Sequence, residues 1–594
     1  MRRMLTVTVL ILAAAALRAD DLADARKLFD RNIDTIHRHD RDAYLALYLH
    51  SPKLARTGAD GLSLGFDDFA KGAGSRWPDA LDADDIRLTQ IQPGMVYGTY
   101  RYRVRYGTDE HSGVSERLFI KTSEGWKIAL TGAIDAPLGT PPPPRAIRNA
   151  TIIDGNGGKP VAGNVVIRDG KIDCAGANCA IPEGIDVVDA SGKFVTPGLI
   201  DAHVHFSQTG WADGRPDALD VRSTHPYEQT IAENKANPQR YARSYICSGV
   251  TSVFDVGGYP WTLQLAERFN GDTLAPSIAT AGPLLSTLDH WLNLPAERQF
   301  IHLKDEESGR GGVRYLKLHG ANAIKVWYIV DPKELPVEKS EPWVAAAGDE
   351  ARKNHIPLIV HATGLAEAKA SLRAGANVLV HSVEDAAIDD ELIALAKRNH
   401  TILIPTLTVL GGYMRMFQSV ADHKPPVVDD PNHCVDDSTM AKVNETPSVV
   451  TTIDMAARVQ RAQGRVERTT NFMRANLKTL VANGIPIATG TDAGNPLTLH
   501  GPAIYAEMDA MQSAGMTPMQ VIESSTRIAA EAMGLGATTG TLTAGKTADL
   551  LILDADPTIS VANFRKIRYV MRGGALRSIS ELSALARNPQ QTKP

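Results

Sequence analysis

The sequence is poor in cysteine, in net charge and in long apolar runs. It has four cysteines in 594 residues, and we do not assign them to a metal. Its formal net charge of −5 argues against a nucleic-acid partner, because a protein that binds a phosphate backbone presents a basic surface. No stretch beyond the N-terminal segment is long and apolar enough for a membrane span, so we expect none there. The hydrophobic content of 43% and the length instead indicate a globular chain of several domains.

The N-terminal segment has the pattern of an export signal. Residues 1–19, MRRMLTVTVLILAAAALRA, begin with two arginines, continue as an apolar run and end in small residues. This order is typical of a secretory signal peptide, which is removed from the mature protein. We therefore expect a periplasmic or secreted protein, and the absence of a cysteine near the cleavage region predicts no lipid anchor there.

An oxidising compartment permits disulfide bonds. Cys174 and Cys179 flank the turn-like sequence AGAN, so they are a candidate pair. Cys247 and Cys434 lie far apart in sequence and can pair only if the fold brings them together. Four free, buried thiols are the alternative interpretation.

Residues 21–136 predict a separate α+β domain. Apolar residues recur at helical spacing near its start, and later segments such as MVYGTYRYRVRY alternate as strands do. The order of a helix and then a curved sheet resembles the NTF2-like (SnoaL-like) cone fold, with Tyr100, Tyr102 and Trp126 as candidates to line its interior. No group of residues there indicates a reaction, so we expect an accessory domain. The proline-rich residues 137–145 predict a stiff linker.

The remaining chain predicts a barrel inserted into a small β-domain. Residues 146–196 and 541–580 are both series of short β-segments, which we expect to form one β-sandwich. Residues 197–540 alternate short, β-branched apolar runs with helical patterns, as parallel strands and their helices do. Eight such units predict an α/β fold, a (β/α)8 TIM barrel with its active site at the C-terminal ends of the strands. Residues 581–594 are expected to be a tail.

Polar residues stand at the ends of five of these apolar runs. The first run ends in PGLIDAHVHF, and on a strand His203 and His205 point to the same face. Alone, such a pair is as easily two hydrogen-bonded histidines as a metal site. The other runs contain or end in Lys325, His361, His381 and Asp492. Strand ends of one barrel share one rim, so we expect all six side chains to meet there.

The chain from 146 to 575 resembles the amidohydrolase superfamily, within its imidazolonepropionase-like, metal-dependent group. The motifs that carry this resemblance are TPGLIDAHVH, GVTSVFDVGG, AIKVW, VHATG, VHSVEDA, GTDAG and GTLTAGKTADLLILD. The resemblance implies two zinc ions per chain, one bound by His203 and His205 and the other by His361 and His381. It implies that Lys325, carboxylated by carbon dioxide, bridges them, and that Asp492 binds metal and transfers the proton as the catalytic base and acid.

Physical chemistry supports these roles. A lysine in an apolar strand near a metal should have a depressed pKa and a nucleophilic neutral amine, and carboxylation gives it two anionic oxygens. A zinc pair would lower the pKa of a bridging water, and Asp492 would accept its proton. The alternatives are a salt-bridged lysine beside a mononuclear site, and an aspartate that caps a helix.

Two positions depart from the family pattern and leave the substrate open. Phe254 stands where many relatives have arginine, and GPLLSTLDHW replaces a glycine-flanked histidine. We take His290, Tyr328 and His500 as candidate substrate-binding residues, with simple packing as the alternative.

The resemblance implies a secreted, metal-dependent hydrolase of an amide or peptide bond, with a small molecule such as a dipeptide or N-acyl amino acid as substrate. A mononuclear cyclic-amide hydrolase or deaminase is the first alternative. The second is a non-catalytic binding protein dominated by the NTF2-like domain. Homo-oligomerisation stays open.

Overall fold

The computed structural model describes residues 21–58, 61–74, 76–107, 109–135, 143–290, 292–294 and 297–588. The predicted signal peptide and most of the predicted linker lie outside the described residues. The chain divides after residue 140 into two compact units, here called the N-terminal unit and the C-terminal unit. In the described part of the chain, no helix combines the length and the apolar character that crossing a membrane requires.

The N-terminal unit packs helices against one six-stranded sheet. Its helices are 21–37 (α1), Arg41–Ala46 (α2) and Phe66–Gly72 (α3). Its strands are Ala55–Gly58 (β1), Gly61–Leu64 (β2), Ala80–Gln92 (β3), Met95–Tyr106 (β4), Asp109–Thr122 (β5) and Gly125–Asp135 (β6). The sheet order is β2-β1-β6-β5-β4-β3, and β3 to β6 form an antiparallel meander. The helix and the antiparallel sheet that the sequence predicts are both present.

The alternation in β4 explains which face of this sheet is buried. Val96, Tyr100 and Tyr102 point to one side and lie in the core, where α1 adds Leu28 and Phe29. Tyr97, Thr99 and Arg101, on the opposite face of β4, are more exposed, as in a strand with only one buried face.

The C-terminal unit begins with five strands: Arg145–Ile152 (β7), Val161–Arg168 (β8), Lys171–Gly176 (β9), Asp186–Asp189 (β10) and Phe194–Pro197 (β11). The barrel region follows, with Leu199–Val204 (β12), Val250–Asp255 (β13), Ser277–Thr280 (β14), Leu284–Ser286 (β15), Phe300–His302 (β16), Ile324–Trp327 (β17), Leu358–His361 (β18), Val378–Val380 (β19) and Ile402–Ile404 (β20). All strand pairs within this region are parallel.

Hydrogen bonds close these strands into a ring. The Asn322 amide, just before β17, donates to the Thr280 carbonyl at the end of β14. Residues 485–493 form the eighth segment, because Ile487 bridges to Leu403 of β20 and the Ala202 amide of β12 donates to the Thr489 carbonyl. The result is a circuit of eight parallel segments, the arrangement of a (β/α)8 barrel.

Helices surround the ring and extend beyond it. They are Tyr227–Ala236 (α4), Gln239–Cys247 (α5), Leu265–Arg268 (α6), Glu306–Leu318 (α7), Val337–Lys353 (α8), Leu365–Arg373 (α9), Asp390–Asn399 (α10), Val409–Asp422 (α11), Asp437–Glu445 (α12), Met455–Ala482 (α13), Ala503–Ser513 (α14), Pro518–Ser524 (α15) and Arg527–Ala532 (α16). Several begin at an aspartate cap, as α10 does, where the Asp389 side chain accepts from the Leu392 amide. Short 3-10 helices lie at 212–214, 260–264, 446–448 and 561–565.

The C-terminal strands return to the first ones. Leu550–Leu553 (β21), Ile567–Arg572 (β22) and Ala575–Ser578 (β23) complete the sheet β23-β22-β21-β11-β7-β8-β9, with β10 also paired to β7. The two flanking segments therefore share one structure, as predicted, but as a single branched sheet of eight strands. Residues 579–587 form helix α17, which buries Leu582 and Ala586, so the predicted tail is ordered over this stretch.

Both cysteine pairs are disulfide-bonded. Cys174–Cys179 closes the turn after β9, and Cys247–Cys434 ties the end of α5 to the segment before α12. The pairing of the first two was a candidate from sequence. The second pair forms because the barrel brings its two partners to a Cα separation of 5.4 Å.

Candidate metal centre

The first barrel strand, β12, and the eighth barrel segment, residues 485–493, bring two histidines and an aspartate close together. His203 lies in β12 and His205 directly follows it, and both are almost fully buried. The backbone of the eighth segment passes very close to them. A Cβ built on Gly490 would lie 2.7 Å from the His203 Cβ and 2.5 Å from the Ile404 side chain, so only glycine fits there.

Asp492 follows Gly490 in an unusual backbone conformation. Its φ of 61° lies in the left-handed region, which a residue with a side chain rarely adopts unless its surroundings impose it. Its amide donates to the His203 carbonyl, which fixes the turn. Its Oδ1 atom then lies 3.4 Å from Nε2 of His203 and 3.0 Å from Nε2 of His205.

Two further histidines complete the rim. His381 also has a positive φ, of 74°, and its Nδ1 atom hydrogen-bonds with Thr406 Oγ1 at 2.7 Å. Its ring centroid lies 4.2 Å from that of His361, at the end of β18, and 5.1 Å from that of His203. One ligand atom each from His203, His381 and Asp492 lies within 4.8 Å of the others, a spacing that a metal ion can bridge.

The hydrogen bonds of this cluster suit a cation. His205 Nδ1 donates to the Gly257 carbonyl at 2.7 Å, so in the neutral ring Nε2 presents a lone pair toward Asp492. Among the described residues, Asp492 Oδ1 and His203 Nδ1 are buried and have no hydrogen-bond partner. A buried, unpaired carboxylate oxygen that faces imidazole lone pairs is costly without a cation. The residues present therefore fit a divalent metal, for which nitrogen and oxygen are common ligands.

Burial also favours the ligating forms of these groups. It holds the pKa values of His203 and His361 well below the usual value and lowers that of His381 to about 4. Neutral imidazole is the form that binds metal. Burial alone raises the pKa of Asp492, but positive charge beside it, at the positions of His203 and His205, outweighs burial and holds this pKa well below its usual value. With neutral imidazoles, a bound cation supplies that charge.

Lys325 lies on β17 with its side chain at the same cavity. It is 1% exposed, and burial lowers its pKa to about 7, although the Asp492 charge acts in the opposite direction. No carboxylate of the described residues comes within 4.0 Å of its Nζ, so the salt-bridged alternative finds no partner here. A substantial fraction of the amine is therefore neutral near physiological pH, and it has no carboxylate counter-ion among the described residues.

A cavity of about 250 Å³ opens above these six side chains. Its other polar wall residues are Gln208, Arg215, Asp217, His290, Gln299, Thr363, Glu384, Tyr413 and Asn495. The Arg215 guanidinium donates to Asp217 at 2.9 and 2.8 Å and also to Asn495 Oδ1, which accepts from the Tyr413 hydroxyl as well. The sequence analysis did not identify Arg215 and its partners as part of the site. The only indication in the sequence was a charged residue in the loop after β12.

Buried acids outside the cavity position the ligands and were also missed. Asp201 accepts hydrogen bonds from the Thr491 amide and hydroxyl at 2.9 and 2.6 Å, and burial raises its pKa to about 7. Asp255 accepts from the Phe206 amide at 2.9 Å. An acid inside an otherwise apolar run, as in LIDAHV and VTSVFD, was the available signal.

The three candidate substrate residues have different places. His290 lines the cavity and its ring packs against Trp327. Tyr328 does not reach the cavity, because its hydroxyl faces away from it and bonds to Ser340 at 3.1 Å. His500 does not reach it either, since its ring stacks on Tyr241 behind the ligands. For these last two, packing replaces the expected substrate role.

Comparisons with known proteins agree with this geometry. The sequence profile of the amidohydrolase family matches residues 194–577, well over half of the chain. Imidazolonepropionase of Chromobacterium violaceum is 26% identical over 406 residues, covering 66% of this chain and 84% of that protein. Imidazolonepropionase of Mesorhizobium japonicum is 26% identical over 441 residues, covering 69% and 91%. A Xaa-Pro dipeptidase structure shares the fold, with a TM-score of 0.55, 20% identity, and coverage of 73% of this chain and 100% of that one.

Proposed function

Because the chain belongs to the amidohydrolase family and is a metal-dependent hydrolase of carbon–nitrogen bonds, we propose that it cleaves the amide bond of a dipeptide or an N-acyl amino acid. The observation that carries the proposal is the convergence of four histidines, a lysine and an aspartate at one buried cavity. The fold shared with a Xaa-Pro dipeptidase favours a substrate of dipeptide size, and so does a cavity of about 250 Å³.

Two zinc ions are the proposed metals. His203 and His205 would hold one, and His361 and His381 the other. When bound, zinc supplies a Lewis acid that polarises the scissile carbonyl and lowers the pKa of a water. The remaining chemistry belongs to the chain's own residues.

Lys325 is the proposed bridge between the two metals. Its neutral amine can attack the carbon of carbon dioxide, forming an N–C bond and releasing a proton. The product is a carbamate, whose single negative charge is shared by two oxygens, where the protonated side chain would be a cation. A pKa of about 7 and the lack of a counter-ion among the described residues both support this modification.

Asp492 is the proposed proton carrier. Positive charge beside it holds its pKa well below the usual value, so its carboxylate stays ionised, and it faces the cavity. It would accept a proton from the attacking water and deliver that proton to the leaving nitrogen, which must be protonated to depart as an amine.

Arg215 is the proposed contact for the substrate's free carboxylate. It lines the cavity, and Asp217 and Asn495 already hold its side chain in place. Little conformational entropy of this side chain is therefore lost when a substrate binds. A guanidinium matches a carboxylate with two parallel hydrogen bonds. Both substrate classes, dipeptides and N-acyl amino acids, carry such a group.

Two further predictions, on export and on the fold of the N-terminal unit, are also proposals. We propose that the protein is exported by its N-terminal segment, and the two disulfides favour an oxidising compartment such as the periplasm. We also propose that the N-terminal unit is NTF2-like, on the basis of its helices and its six-stranded sheet.

The deciding experiment is the metal content of the purified mature protein beside that of Lys325→Ala and of Lys325→Met, which keeps the side-chain length. About two metals in the parent and a sharp fall in both variants would support the bridged pair. One metal, unchanged by either substitution, would refute the bridging role. The search for substrates would then move to mononuclear cyclic-amide hydrolysis or deamination.

Substrate class is tested with dipeptides and N-acyl amino acids beside the same compounds with the carboxylate converted to an amide. We expect kcat/KM for the acids to fall about tenfold or more in Arg215→Gln, with little change for the amides. Arg222→Gln is the matched control, because Arg222 is an exposed arginine paired with Asp220. Equal losses for acids and amides would refute the carboxylate contact.

A further inference from the structure

The N-terminal unit encloses a second cavity, of about 560 Å³, unrelated to the metal centre. This volume falls within the range of small-molecule sites. Helices and sheet both contribute to its wall, whose aromatic and aliphatic part comprises Ile36, Tyr44, Phe69, Trp77, Tyr100 and Tyr102. The wall also carries polar groups, so a ligand with both an apolar body and a polar group would match it.

One charged side chain lies at the buried end of this wall. Arg117 of β5 is 5% exposed, and its Nη1 atom donates to Ser115 Oγ at 2.7 Å and to the Glu116 carbonyl at 2.8 Å. Its Nη2 atom donates to the Tyr100 hydroxyl at 2.9 Å. Its Nε atom is buried and has no acceptor among the described residues. Two of the three guanidinium nitrogens therefore keep a hydrogen for another acceptor.

This buried cation has no counter-ion in the part of the chain that the structure describes. No carboxylate lies within the 4.0 Å of an ion pair, and the wall of the cavity contains no aspartate or glutamate. The acid beside it in sequence, Glu116, accepts instead from the Thr57 and Tyr97 hydroxyls at 2.6 and 2.9 Å. An unpaired buried charge is costly, so an anion that reaches Arg117 gains a strong interaction.

The groups around Arg117 also favour an anionic ligand. The Tyr44 hydroxyl accepts a hydrogen bond from Tyr48 at 2.7 Å and so keeps its own hydrogen to donate. The exposed residues of the wall include Arg56 and Arg76, which add positive charge at the open side of the cavity. Positive groups at an entrance raise the local concentration of anions.

We propose that this cavity binds a small organic carboxylate whose body is apolar, with the carboxylate on Arg117 and the body against the aromatic wall. The planar guanidinium and the tyrosine hydroxyls supply donors that a carboxylate accepts, and the rings supply the surface that an aromatic or branched body buries. The N-terminal unit would then be a ligand-binding domain in its own right, independent of the reaction at the barrel.

Titration calorimetry of the full-length mature protein tests this, with benzoate and phenylacetate as probes and benzamide as the uncharged match for benzoate. We expect saturable binding of at least one acid at concentrations up to about 10 mM, and binding of benzamide that is weaker by about tenfold or more. Arg117→Gln should weaken binding of the acid by about tenfold or more. If neither acid binds, or if acid and amide bind equally, the proposal is wrong.

Two more variants keep the test decisive. Tyr44→Phe removes only a hydroxyl and should weaken binding of the acid several-fold, which decides the matter if Arg117→Gln does not fold. Asp492→Asn alters the barrel cavity and should leave the affinity for the acid unchanged. Acid binding that is lost in Asp492→Asn but retained in Tyr44→Phe would place the ligand at the metal centre and overturn the proposal.

Discussion

The Nε2 atom of His205 lies 3.0 Å from Oδ1 of Asp492, although the hydrogen bond from His205 Nδ1 to the Gly257 carbonyl leaves Nε2 of the neutral ring without a hydrogen. Two electron-rich atoms thus face each other in a buried place. Both are held there by backbone, because the His205 amide donates to the Ala493 carbonyl and the Asp492 amide to the His203 carbonyl. A cation between them turns this repulsion into binding, so the geometry itself argues for a metal.

Substituting Asp492 by asparagine tests its role as proton carrier. An amide keeps the size of the side chain but cannot accept the water's proton, and it is a poorer metal ligand. We expect kcat to fall by about 10²- to 10⁴-fold, the usual contribution of a general base. The measurement is steady-state kinetics at a fixed metal concentration, with circular dichroism to check the fold. A variant that retains more than a tenth of the parental kcat would contradict the assignment.

Removing the metal should destabilise the C-terminal unit. Without it, the Asp492 oxygen and the His205 nitrogen face each other uncompensated, and a metal that binds only the folded state adds RT ln(1 + [L]/Kd), about 2.7 kcal/mol at 100 times Kd. We expect a chelator to lower the unfolding temperature of this unit in calorimetry and added zinc to restore it. If the transition does not move with the chelator, the cluster does not hold a metal in the purified protein.

Gly490→Ala should disturb the metal centre through sterics alone. The added Cβ would lie 2.7 Å from the His203 Cβ and 3.0 Å from its amide nitrogen, so His203 must move. Because metal sites tolerate little displacement of a ligand, we expect both metal content and kcat/KM to fall by about tenfold or more, while most of the helical content remains.

Gly311→Ala is the matched control. A Cβ at Gly311 meets nothing within 4 Å, and this residue lies inside α7. Alanine is the better helix former, so the control should gain about 0.5–1 kcal/mol in the free energy of unfolding and keep full activity. Equal behaviour of the two variants would show that the close approach at Gly490 does not matter.

The sequence predicted that the four histidines, Lys325 and Asp492 would meet at one cavity, because topology brings them together. Each stands at the end of an apolar, β-branched run, and parallel strands of one barrel have their ends on one rim. The alternation within β17 also explains why Trp327 lines the cavity and Tyr328 does not. Lys325 faces the cavity, and a side chain two positions later on a strand points to the same face. Arg215 could not be predicted, since it lies in a loop whose path depends on contacts with Asn495 and Tyr413. The signal peptide stays a prediction.

The two disulfides should differ in what they contribute to stability. Cys247–Cys434 closes a loop with a sequence separation of 187, and Cys174–Cys179 one with a separation of 5. In the chain-entropy model the stabilisation grows with the logarithm of loop length, which gives about 5 kcal/mol for the long loop and about 2 kcal/mol for the short one. We therefore expect the double variant Cys247→Ala/Cys434→Ala to unfold at a clearly lower denaturant concentration than Cys174→Ala/Cys179→Ala.

The comparison is sharpest when each double variant is measured with and without a reducing agent. Reduction should lower the stability of each protein by the contribution of the disulfides that it retains. The variant that lacks the long-loop disulfide should therefore lose only about 2 kcal/mol more, and the variant that lacks the short-loop disulfide about 5 kcal/mol more. Both Cys247 and Cys434 are fully buried, so slow reduction of the native state is expected and the agent must be present during unfolding. If both double variants lose the same free energy of unfolding, the loop-length argument fails. The loss would then come from the packing contacts of the removed sulfurs.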